Sequence, residues 1–331
     1  MLGFVVRRIA VSFVVLLLAS FVAFTATAAS GDPLAELRNK QPPPPPETIE
    51  RIVEDLRLDE PVVTRWALWL GDFVQGDMGI TTQQRSVSEL ISDRLPTTLR
   101  MVLVSTALAA LAAVVVGCYS AIRQYSIGDY VSTGVGFLFL STPIFVVGLL
   151  LKEFLGIRIN GWIGREDDPL IFTSRAESDP LFLPDDFWGR MVDYAGHLVL
   201  PTLALATASF AAWSRYQRAS MLDVLSSDYV RLARAKGISP RRVLTRHMLR
   251  NALIPLTTVI AIDFGAVFGG AVITETVFNW NGMGKLLIDA IQTIDPNMVT
   301  AWLMVTGVLI VLFNLLADIL YGVLDPRIRV G

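Results

Sequence analysis

This 331-residue chain has only two histidines and one cysteine. With Cys118 alone, neither a disulfide framework nor a cysteine-rich metal site can form within one chain. His197 and His247 are too few for a multi-histidine zinc site. Charge is scarce as well. Asp, Glu, Lys and Arg make up 18% of the chain, against about a quarter in an ordinary soluble domain. The net charge of −2 gives no reason to expect a nucleic-acid partner. Motifs for ATP hydrolysis are missing: no G-x-x-x-x-G-K-[ST] run occurs, and Gly282-Met-Gly-Lys285 is too short to cradle phosphates. Neither G-x-S-x-G nor H-E-x-x-H is present. The chain is therefore expected to be no enzyme and to bind no cofactor or metal of its own.

What is abundant is apolar sequence, 53% of residues, gathered into blocks. Six runs stand out: Ile9–Ala29, Leu99–Tyr119, Val131–Leu151, Leu198–Trp213, Ala252–Thr274 and Val299–Tyr321. A spanning helix needs about 20 residues. The fourth run reaches that length when extended back through Ala195, with Pro201 tolerated in a first turn. Backbone groups in lipid must be satisfied within the segment, so these runs are predicted to be helices in a bilayer. The fold class is all-α, a polytopic membrane protein with six transmembrane helices. Ala26-Thr27-Ala28 resembles a signal-peptidase site, but the preceding core is longer than the 7–15 residues usual in a signal peptide.

Basic residues in short loops set orientation. Arg7, Arg8, Arg123, the 215–250 stretch, Arg327 and Arg329 fall on one side if the N-terminus is cytoplasmic. The opposite segments, 30–97, 156–196 and 275–298, are richer in acid. Glu47, Glu50, Glu54, Asp55, Asp59 and Glu60 lie in the first, and Glu166, Asp167, Asp168, Asp185 and Asp186 in the second. Both termini are thus expected to be cytoplasmic. Three parts follow: a first span 1–29, an extracytoplasmic insertion 30–97, and a core 98–331 containing a loop at 214–251. Within the insertion, Pro42 to Pro46 form a stiff spacer. Ile49, Ile52, Val53 and Leu56 recur at helical spacing over 47–57, and Trp66, Trp69, Leu70 and Phe73 follow Pro61. These predict two short helices packed on the membrane domain. Gly265 and Gly269 make a small-xxx-small pair suited to close helix approach.

The stretch ARAKGISPRRVLTRHMLRNALIP, Ala233 to Pro255, is strongly basic and has no acid, although apolar runs flank it. Asp228 is predicted to cap a helix over Tyr229–Lys236 that ends at Gly237 in a left-handed conformation. Ser239 and Pro240 can open a second helix. On that helix Arg242, Arg246 and Arg250 form one stripe, and Leu244 and Met248 another. Such a segment can lie on a membrane surface or grip a partner. Fixing topology alone would also account for the charge. Contact with DNA is disfavoured by the tether to two spans.

Asp228-Tyr-Val-Arg-Leu-Ala-Arg-Ala-Lys-Gly237, with Leu249-Arg-Asn-Ala-Leu-Ile-Pro255, closely resembles the cytoplasmic Glu-Ala-Ala loop of ATP-binding cassette importers. The form is that of bacterial dipeptide/oligopeptide permeases of the B type. Ala233 and Gly237 match; Arg231 and Leu232 replace Glu and Ala, and Arg250 replaces a proline. Gly31-Asp32-Pro33, Gly76-Asp-Met-Gly79, Ser141-Thr-Pro-Ile-Phe145, Thr274-Glu-Thr-Val-Phe-Asn-Trp-Asn-Gly-Met-Gly284 and Tyr321-Gly-Val-Leu-Asp-Pro-Arg-Ile-Arg329 extend the likeness over nearly the whole chain. The resemblance implies a type I importer permease in the bacterial inner membrane, forming half of a translocation pathway for peptides. It implies four kinds of partner: a second, similar permease subunit, one or two ATPase subunits carrying ATP and Mg, an external peptide-binding protein and the lipid bilayer. The loop would then be a coupling helix, with Asp228, Arg231, Ala233, Lys236, Gly237 and Arg241 as expected ATPase contacts. Relatives carrying glutathione or nickel keep those cargoes open.

Asp263 lies mid-helix in the fifth run, and an ionisable group there is a candidate for the translocation path or a subunit contact. Glu275, Phe278, Trp280 and Met283, just outside that run, are candidates for a re-entrant loop that meets the binding protein. Packing into the bundle mouth explains the apolar three equally well. An ion-coupled carrier is disfavoured by the lack of an evident inverted repeat. An intramembrane aspartyl enzyme is disfavoured by the lack of a second central Asp.

Overall fold

A computed structural model describes residues 2–39, 41–42, 44–164, 172 and 186–324. The described residues are almost entirely helical, and the one β-bridge is the isolated pair Ile80–Ser86. The chain divides into two compact units, Met1–Thr98 with Asn281–Val311 and Leu99–Trp280 with Leu312–Gly331. Glu166, Asp167, Asp168 and Asp185, and the carboxyl-terminal motif from Asp325 onward, lie outside the described residues.

The first unit begins with α1, Leu2–Ala29. After it come a single turn α2, Ala35–Arg38, and two short helices, α3, Pro46–Asp55, and α4, Val62–Val74. The predicted insertion helices are thus present, each opened by a proline-containing turn. Leu34, Ile52 and Leu56 are buried together, with Ile49 and Val53 against them. This cluster lies outside the spans, where burial from water stabilises by roughly 1.5–3 kcal/mol per large apolar side chain. Helix α4 packs on α1 through aromatic contacts. Phe21 and Trp66 meet edge to face at 5.0 Å, and Trp66 Nε1 donates to Ser20 Oγ at 3.2 Å. The unit is completed by α11, Met283–Gln292, and the start of α12, Pro296–Leu324.

The second unit takes up α5, Val87–Ile122, after its first turns. It contains α6, Ile127–Ser141, α7, Ile144–Trp162, and α8, Phe187–Leu225. Two further helices are α9, Asp228–Ala235, and α10, Pro240–Phe278. Close packing here is by small residues, as expected where lipid supplies no hydrophobic drive. A Cβ at Gly117 would stand 2.7 Å from the Ser214 carbonyl oxygen, so only glycine lets α5 and α8 approach this far. Of the predicted Gly265/Gly269 pair, Gly269 makes no close approach within this chain. Gly269 faces open space, and its neighbour Gly270 packs under Leu205 and Ile144 instead.

Four expectations are corrected. The third run is no single helix: α6 and α7 meet at a 109° bend. Thr142 is extended, with φ −98° and ψ 124°, because Pro143 disfavours a helical residue before it. The fourth helix is much longer than its apolar run, 39 residues, since polar turns continue it at both ends. The basic stretch after Ser239 is no separate helix but the first part of α10, which widens into a π-turn over Val243–Met248. Finally, 275–298 is mostly helix, being the end of α10 and all of α11.

Five helices are long and apolar enough to span by themselves, and the bent pair decides the total. Thr82, before α5, donates its N–H to Asp295 Oδ2 at 2.8 Å, and Asn297 Nδ2 donates to the Ile80 carbonyl at 3.0 Å. Residues 80–82 and 295–297 therefore share one face of the membrane. An even number of crossings must separate them. Helices α5, α8 and α10 give three, so α6 and α7 together supply the fourth. The total is then six.

Candidate functional site

The loop between α8 and α10 is built so that one side is packed and the other bare. Ser227 occupies the cap position of α9, not Asp228, and its hydroxyl bonds back to Val224. Asp228 is almost fully exposed and sits 3.5 Å from Arg231, a pair that water screens to little effect. At the far end Gly237 has φ +72°. Its N–H donates to the Arg234 carbonyl at 2.9 Å, and the Ile238 N–H to that of Ala233 at 3.3 Å. These are the two bonds of a Schellman turn, which needs a left-handed residue at this position. Ser239 and Pro240 then open α10, as the sequence predicted.

Val230 and Ala233 are the inward residues of α9, 0% and 5% exposed. They join Ala121 at the end of α5, Met221 at the end of α8, and Val243, Met248 and Ala252 at the start of α10. Cys118 and Leu244 pack against this cluster, Cys118 half-buried. Helix α9 is thereby packed against the ends of three spans at once. The outward surface carries Arg231, Arg234, Lys236, Arg241, Arg242, Arg246 and Arg250, with Leu232 exposed among them. A basic surface with one exposed apolar residue among its charges can meet another protein or a membrane surface.

Two polar contacts in the same unit escaped the sequence reading. Arg218 grips Asp129 with two hydrogen bonds of 2.9 Å, and Asp129 is buried. Asp129 Oδ2 also accepts the Tyr125 N–H, while Ser126 caps α6 through the Asp129 N–H. The signal was Ser126-x-x-Asp129 ahead of an apolar run, a capping box. The second is at Asp263, whose Oδ2 accepts from Trp213 Nε1 at 2.8 Å. Asp263 is half-buried, close to the middle of α10.

Glu275 and Phe278 lie at the end of α10 and Trp280 just past it, and all three are buried. Phe278 and Trp280 pack with Leu200 and Ala204, and Lys152 Nζ lies 5.7 Å above the Phe278 ring while bonding the Val277 carbonyl. Met283 belongs to the other compact unit. It is fully buried there, and its N–H donates to Thr98 Oγ1 at 2.8 Å. The arrangement thus brings three of the four outer candidates together.

A six-span helical bundle with a basic, externally presented helix between its fourth and fifth spans defines a membrane transport subunit. The chain belongs to the binding-protein-dependent transport system inner membrane component family, matching that family over residues 113–330. Residues 1–102 match its amino-terminal companion, the binding-protein-dependent transport system membrane component N-terminal region. An oligopeptide transport system permease protein of Mycobacterium tuberculosis is 40% identical over the full length of both chains. One of Bacillus subtilis is 39% identical over 99% of this chain and all of that one. A dipeptide transport system permease protein of Escherichia coli is 34% identical over 99% of each. Among solved structures, an inward-facing methionine ABC transporter chain has a TM-score of 0.51 at 16% identity. It covers 71% of this chain and 96% of its own, which supports the shared fold.

Proposed function

We propose that this chain is one of two membrane subunits of an ATP-driven peptide importer fed by an external binding protein. The observation that carries the reading is α9, packed inward by Val230 and Ala233 and turned back by Gly237. Its basic outer surface faces the cytoplasm and receives an ATPase subunit. Asp228, Arg231, Lys236 and Arg241 contribute the exposed contacts, and Ala233 and Gly237 hold the shape. ATP and Mg are bound by the ATPase, since this chain has no phosphate-binding loop. The peptide assignment follows the relatives, which are named for oligopeptides and dipeptides. Asp263, held by Trp213, stays a candidate for the translocation path or for a contact with the second membrane subunit.

Topology and dependence on partners test this together. In a Cys118→Ala background, Arg241→Cys is expected to react with a membrane-impermeant thiol reagent only after the inner face is opened. Gln83→Cys is expected to react from outside in intact cells. Peptide uptake is expected to stop when the ATPase genes are deleted. Labelling of position 241 in intact cells, or uptake that survives the deletion, overturns the proposal.

A further inference from the structure

We propose that a hollow in the first unit, between residues 81–94 and 286–298, is a socket for an acidic side chain of the external binding protein. The proposal rests on the importer reading above. The cavity holds about 340 Å³, and Arg85, Arg94, Asp289, Thr81, Thr82 and Thr293 are on its walls. On the importer reading, both segments that wall it belong to the acid-rich extracytoplasmic stretches 30–97 and 275–298. Arg94 is steered into place by its bond to the Asn281 carbonyl, 3.0 Å. Arg85 is exposed, and its guanidinium has no partner among the described residues. A guanidinium fork matches a carboxylate in two parallel hydrogen bonds.

The floor is fixed before any partner arrives. Asp295 accepts the Thr82 and Met298 N–H groups at 2.8 and 3.0 Å. Its negative charge is committed to these amides, and burial pushes its carboxyl above the usual range. Thr81 Oγ1 accepts the Gln83 and Arg85 N–H groups, which closes the turn carrying Arg85. A pre-formed turn lowers the ordering cost of binding. Asp289 is exposed at the rim and opposes a second negative charge, so one carboxylate suits the hollow better than a phosphate. A neighbouring hollow of about 350 Å³ shares Thr82, Gln83 and Thr293, and adds Thr48 and Gln84. Its hydroxyls and amides can satisfy the backbone of the loop that presents the acid.

The test uses the complete complex in nanodiscs, titrated with its binding protein while ATPase stimulation is followed. Arg85→Glu is expected to raise the half-saturating concentration about tenfold and to keep the stimulated rate at saturation. Asp289→Asn is expected to lower that concentration. Added salt should weaken the unaltered complex more than the Arg85→Glu variant. If the unaltered complex responds and both variants titrate identically to it, the socket is overturned and the importer reading stands. If the unaltered complex responds to no binding protein, the importer reading falls and the socket with it.

Discussion

Replacing Gly237 by valine is expected to reduce peptide uptake at least tenfold while leaving a chain that inserts and spans normally. Position 237 sits at φ +72°, where a non-glycine residue costs about 1–2 kcal/mol and a β-branched one more. Nothing in the chain lies within 4 Å of a Cβ placed there. The damage inside the chain is therefore one of backbone strain, felt at the end of α9. A second variant separates strain from obstruction. Asparagine enters the left-handed region readily, so Gly237→Asn relieves most of the strain yet still projects a side chain into the open space. If an ATPase subunit closes over this turn, Gly237→Asn also loses uptake and co-purifies with less ATPase. The thermal midpoint of the membrane subunit should fall for valine and hardly move for asparagine. Full uptake by Gly237→Val would show that α9 transmits nothing.

The features legible in the sequence were those that a short segment decides for itself. Apolar runs marked the spans, the spacing of Ile49, Ile52, Val53 and Leu56 and the run after Pro61 marked the insertion helices, and Gly237 followed by Ser239-Pro240 marked the turn of the basic loop. What stayed hidden depends on partners distant in the chain. Thr82 and Asp295 meet across 213 positions, and Trp213 reaches Asp263 across 50. Asp295 does not differ locally from an aspartate facing water, and the apolar run around Asp263 marks that residue without naming its partner. The ends of α8 were misjudged because hydropathy reports where lipid stops, while the helix continues into solvent on capping and side-chain contacts. The break before α7 was readable from Thr142-Pro143. Apolar continuity through Leu140 and Phe145 concealed it.

Removing Arg218 is expected to destabilise the membrane subunit more than any other single surface-charge change. Asp129 has 4% of its side chain exposed and Arg218 28%. Breaking a buried pair from one side leaves an uncompensated charge, at a cost of about 3–5 kcal/mol when burial is complete. Water reaches Arg218 from one side, so the lower end of that range applies. Arg218→Lys keeps the charge and loses the two-pronged geometry, so it should fall in between. Replacing both partners, Asp129→Leu with Arg218→Leu, should recover much of the loss, because no charge is then stranded. Thermal unfolding in detergent of the unaltered chain, Asp129→Leu, Arg218→Leu and the double variant gives the coupling energy directly. The same variants bear on mechanism. Arg218 lies one turn before Met221 and Leu222, which form the bed of α9, and its bond to Asp129 ties that bed to α6. On the proposed function, a bed cut loose from α6 is expected to keep binding the ATPase but to move the spans less. Arg218→Lys in the intact complex should therefore hydrolyse more ATP per peptide imported, and an unchanged ratio would confine the pair to a structural role.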